Sequence, residues 1–100
     1  MADVLLTLIM PNDVAQHVED LLLSRPDLVP GFTASTAEGH GSVIPLIADA
    51  EQVAGHAPRT VIRTLGPEAA KREVLALIKR ELPRANVFYW ITPVIEAGRL

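Results

Sequence analysis

From Val4 to Met10 the chain reads VLLTLIM, apolar almost throughout, and such a run suggests a strand covered on both faces. Alternation sends Leu6 and Leu8 one way and Leu5, Thr7 and Ile9 the other. Pro11 and Asn12 stop the strand and offer an N-cap, with Asp13 in the first turn, where the helix dipole favours a carboxylate. Val14, Val18, Leu21 and Leu22 then recur at helical spacing to about Arg25, with Glu19 and Asp20 toward water and Pro26 as terminator. Residues 27–31 lead to a second strand over 32–38, FTASTAE, whose small and β-branched polar residues suit a sheet edge or a subunit contact.

The stretch EGHGSVIPLIADAEQVAGHAPR, residues 38–59, is too long for a hairpin turn and occupies about a fifth of the chain, which in a small domain points to function. It holds a helical turn of its own in this reading, with Asp49 and Gln52 as a capping box and Gly55 as terminator. RTVIRTL, residues 59–65, predicts a third strand. Gly66 and Pro67 open a second helix with Glu68 at its positive end, Ala70, Val74, Leu77 and Ile78 as its buried stripe, and Lys71, Arg72, Lys79 and Arg80 solvated. Pro83 closes it. The remainder, NVFYWITPVIEAGRL, predicts a strand through at least Ile95, and Pro93, which cannot donate to a ladder, requires an edge or a bulge there.

The order strand, helix, strand, strand, helix, strand is the ferredoxin-like βαββαβ pattern in the α+β class: a four-stranded antiparallel sheet with two helices on one face. Its first and third strands are central, and residues 1–100 form a single domain. Coverage of one face only leaves Leu5, Ile9 and Ile62, or the alternate set, toward water, and an apolar patch there argues for an oligomer built on the open face.

Composition narrows the function. A net charge of −3 without a basic stripe, and four aromatics in all, argue against nucleic acid. The absence of cysteine removes disulfides and thiolate chemistry and fits a cytoplasmic protein. The apolar run at the N-terminus has no positive flank and ends at Pro11, so it reads as a strand rather than a signal peptide or membrane insertion. No Ser, His and Asp arrangement, P-loop or HExxH motif offers catalysis, and a non-enzyme is expected.

The element order, the Gly-x-Gly of Gly39, His40 and Gly41, the long central loop and the ending YWITPVIEAGRL together resemble PII-like signalling proteins, in the superfamily that also holds the CutA proteins. More narrowly they resemble a bacterial PII-like family of unassigned function whose genes often accompany heavy-metal efflux systems. The resemblance covers essentially the whole chain. It implies a homotrimer, a T-loop-like segment at about 39–58, an adenine nucleotide between subunits at the base of that loop, and a partner such as a membrane transporter or efflux protein engaged by the loop. Gly39 and Gly41 match the position where absent side chains let backbone N–H groups approach phosphates. The chain departs from the PII pattern in the short connection LPRAN after the second helix, where the glycine- and lysine-bearing phosphate loop is missing. It departs again at the C-terminus, where Arg99 stands alone in place of a longer basic segment.

The candidate ligand-binding set is therefore Gly39, His40, Gly41, Gln52, Arg59 and Arg99. Arg59 and Arg63 have a competing reading as sheet salt bridges to Glu38, and the glycines one as turn residues. His40 and His56 bracket the loop and offer an alternative, a Cu²⁺ or Zn²⁺ site as in the CutA-type divalent-cation tolerance proteins, completed by Glu38, Asp49, Glu51 or a neighbouring subunit. A structural trimer without a small ligand is the third reading. His17 reads as a surface histidine, and Tyr89 and Trp90 as packing residues on opposite faces of the last strand.

Overall fold

The computed structural model describes residues 3–40 and 57–100. Four strands, β1 (Asp3–Pro11), β2 (Thr33–Gly39), β3 (Ala57–Pro67) and β4 (Phe88–Pro93), and two helices, α1 (Asn12–Leu23) and α2 (Glu68–Glu81), follow in the order β1 α1 β2 β3 α2 β4. The sheet runs β2-β3-β1-β4 with every pairing antiparallel. The ferredoxin-like expectation is met, down to Pro93 on an edge strand.

Register decides which side chains meet. Leu6, Leu8 and Met10 point to the helices and are fully buried, as is Ile62, which stands opposite Leu8. They form one core with Val18 and Leu22 of α1 and Val74 and Ile78 of α2. Ile62 therefore belongs to the core and not to the water-facing set. Its neighbour Val61, opposite Ile9, takes the other face.

Other boundaries move for local reasons. Pro11 occupies the N-cap position of α1 without a side-chain cap bond, and the Asn12 carboxamide oxygen instead accepts from the Thr60 hydroxyl at 2.9 Å. Helix α1 ends at Leu23 rather than Arg25, with the Ser24 hydroxyl donating back to the Leu21 carbonyl. Strand β3 runs on through Gly66 and Pro67, so Pro67 is the cap of α2 rather than its first turn. Strand β4 begins only at Phe88, after Asn86 at φ 57°, a left-handed conformation that asparagine tolerates better than most residues. It ends at Pro93 rather than reaching Ile95, and one further bond carries the Val94 N–H to the Asp3 carbonyl.

Lys71 overturns the solvated reading. It is 0% exposed and lies on the buried stripe of α2 beside Val74 and Ile78. Its Nζ donates to the Leu28 carbonyl at 2.8 Å and to the Thr64 hydroxyl at 3.1 Å, and that hydroxyl donates to the Gly31 carbonyl at 2.9 Å. One ammonium thus ties α2 to β3 and to the connection that feeds β2, giving partners to polar groups that would be costly to bury without them. The amine passes over Gly66, where a Cβ would lie 2.9 Å from Lys71 Cε and 3.2 Å from Nζ. Burial lowers the Lys71 pKa from the ordinary 10.5, with attraction from Asp3 opposing.

Two outcomes follow from this packing. Gly66→Ala should destabilise the fold by ~1–3 kcal/mol through overpacking, and urea unfolding should show the penalty fall to near zero in a Lys71→Ala background. An unchanged penalty there would remove Lys71 as its cause. A basic group with a folded-state pKa below its unfolded value is penalised while charged, and the penalty fades as pH rises through the window ending near 10.5. Unfolding free energies of wild type and Lys71→Met, compared from pH 7 upward, should therefore shift in favour of wild type as the pH rises.

Candidate functional site

Strands β2 and β3 deliver the two ends of the central loop. Gly39 pairs with Ala57, Glu38 with Pro58 and Ala37 with Arg59, so the paired sheet reaches further toward the loop than residues 38 and 59. Gly39 is buried as the last residue of β2, and His40 follows it in the exposed position. His40 Nε2 stands 3.8 Å from Glu38 Oε2, both side chains largely exposed, and the contact is an ion pair only when the imidazole is protonated. Arg59 is 2% exposed and donates from Nη1 to the Pro58 carbonyl at 2.9 Å. A guanidinium held this far from water presents its fork in a defined geometry.

By register Glu38 and Arg59 lie on opposite faces of the sheet, Glu38 on the helix side and Arg59 on the open side. Arg63 also takes the open side, opposite Thr7 on β1 and Thr33 on β2. Gly41, Gln52, His56 and the Asp49 capping box lie outside the described residues. Among the described residues no group of three His, Asp or Glu side chains could hold a metal ion. Arg99 follows β4, which leaves the sheet beside Asp3 and Val4, whereas the loop joins β2 and β3 at the Pro11 and Arg59 end. Topology thus groups Gly39, His40 and Arg59, and sets the departure point of the Arg99 segment at the other end of the sheet. The connection after α2 lies on the loop side, because Phe88 opens β4 opposite Ile9. His17 is exposed on α1, as expected.

The open face itself is the larger feature. Leu5, Ile9, Val61, Leu65, Phe88 and Trp90 share it by register, with Phe88 60% and Trp90 41% exposed and their rings packed edge to face, centroids 6.0 Å apart. Thr7 sits between Arg63 and Trp90 in register and is buried. Tyr89 takes the helix side, where with Leu75, Ile78, Leu82 and Val87 it lines a shallow cavity of about 430 Å³. The opposite directions expected of Tyr89 and Trp90 are observed. The aromatic pair at Phe88 and Trp90 was not predicted, although its i, i+2 spacing on a strand was the available signal.

The family model described as a protein of unknown function, DUF3240, matches residues 1–100. A DUF3240 family protein from Shewanella baltica superposes with a TM-score of 0.79 at 21% identity, covering 100% of this chain and 98% of the other. A nitrogen regulatory PII-like protein from Thiomonas intermedia, bound to ADP, AMP and bicarbonate, superposes with a TM-score of 0.71 at 18% identity, covering 100% and 97%. A PII-like signalling protein from Thermus thermophilus gives 0.64 at 16%, covering 94% and 90%. No functionally curated protein matches the sequence. Among the described residues, no helix is long and apolar enough to cross a membrane.

Proposed function

This chain belongs to the DUF3240 family, and we propose that it is a homotrimeric PII-like sensor and adaptor whose 39–58 loop responds to a small ligand and engages a partner such as a membrane transporter. The observation that carries the proposal is an apolar sheet face on which Leu65, Phe88 and Trp90 stand exposed, beside a loop whose base holds a buried arginine. Packing three copies on the open faces removes Leu5, Ile9, Leu65, Phe88 and Trp90 from water, which is favourable at roughly 25 cal/mol per Å². It also brings each loop base toward a neighbouring protomer, where Gly39 and Gly41 offer backbone N–H groups and Arg59 a fixed cation to an anionic ligand. Adenine nucleotides and bicarbonate are the first ligands to try, since a PII-like protein of the same fold holds ADP, AMP and bicarbonate. The switch is then a population shift, driven by the difference in ligand affinity between two arrangements of the loop.

Sedimentation should give a mass of three chains, and calorimetry with ADP, AMP and bicarbonate in turn should show binding. Replacing Gly39 and Gly41 with valine should abolish that binding and leave the mass unchanged. A variant that binds as wild type would remove the glycines from the site, and a monomeric wild type would remove the trimer. Titration with Cu²⁺ and Zn²⁺ separates the metal reading: binding lost in the His40→Ala, His56→Ala double variant would move the assignment to the histidines.

A further inference from the structure

We infer that residues 94–100 form an arm that docks on the open sheet face of a second copy of this chain, with Glu96 paired to Arg63 of that copy and Ile95 seated on its apolar surface. The inference deepens the oligomer reading above and rests on it. Two unpartnered surfaces of one protomer carry the argument. The first is the open face, where Arg63 is exposed and, among the described residues, makes neither an ion pair nor a side-chain hydrogen bond. Its registered neighbours are Thr33 and Thr7, and Asp3, at the far end of β1, is the one described carboxylate that shares this face by register. Where the open faces of the copies meet, Arg63 would be buried without an acceptor unless the neighbouring copy supplies one, and that is costly. The covering surface must bring a carboxylate with it.

The second surface is the segment after β4. It is tied to the sheet by the bond from Val94 N–H to the Asp3 carbonyl, and past that point no described residue belongs to a helix or strand. Ile95 is 104% exposed, so nothing in its own protomer covers it, and Glu96 beside it is exposed without a described ion pair. An apolar residue next to an acid is the complement of an apolar face that holds Arg63, an arginine with no ion-pair partner among the described residues. The dimensions agree. Glu96 is the third residue of the arm, and three extended residues span at most about 10–11 Å, while Arg63 on β3 lies two strands in from the β4 edge, roughly 10 Å. An arm that crosses the β4 edge of a neighbour at Val94 therefore just brings Glu96 to Arg63, passing the Phe88 and Trp90 pair on the way.

Charge reversal tests the contact, and both residues are exposed, so the variants should fold. Sedimentation equilibrium of the full chain should show wild type associated, with Arg63→Glu and Glu96→Arg each weakening association roughly thirty-fold or more, as loss of a buried charge pair does. The double variant R63E/E96R should recover most of the loss, and Ile95→Asp should weaken association on its own. Wild-type oligomers that survive both single reversals would overturn the arm and leave the oligomer standing. Single reversals that both weaken assembly without rescue in the double variant would also overturn the pairing, because the residues would then act through different partners. A monomeric wild type would overturn the arm together with the oligomer reading it rests on.

Discussion

The central pairing of β1 with β3 is the constraint from which the rest of the molecule follows. Side chains alternate across a strand, so a slip of one residue would exchange every inward and outward position at once. With Leu8 opposite Ile62, the helix side receives Leu6, Leu8, Met10 and Ile62, and both helices have a single apolar surface to cover. The same register leaves Leu5, Ile9, Val61 and Leu65 together on the other side. A fold with helices on one face only must then expose this second surface or share it, and the reading of this chain as an assembling protein begins there.

Much of this was legible in the residues. The apolar run over Val4 to Met10, the stripes of both helices, the proline punctuation and the polar composition of β2 gave the topology, because each is a local signal with one dominant physical reading. Parity between strands is different in kind, since it is set by pairing over long sequence separations. Ile62 was accordingly assigned to the wrong side. Lys71 was misread for another reason: its spacing from Val74 and Ile78 placed it on the buried stripe, but a charged residue is by default assigned to water. The pairing groups that make its burial tolerable, a carbonyl on Leu28 and a hydroxyl on Thr64, are distant in sequence and carry no motif.

The candidate site was legible only in part. Glycines, histidines and an arginine around the loop could be nominated by residue type, and the strand ends do bring Gly39, His40 and Arg59 into one neighbourhood. Burial of Arg59 was not readable, because a charged residue is by default assigned to water. Arg99 illustrates the converse, a residue nominated by position in the sequence whose strand leaves the sheet at the far end from the loop.

That far end has a mechanical meaning. The central loop and the segment after β4 depart from opposite ends of β1, a strand of nine residues, or about 30 Å of paired backbone. Whatever the loop touches acts at one end of a stiff beam clamped by β3 and β4, and the segment after β4 hangs from the other. A load applied where the loop joins the sheet meets the β2 and β3 tips, and a load on the segment after β4 meets Asp3 and Val4.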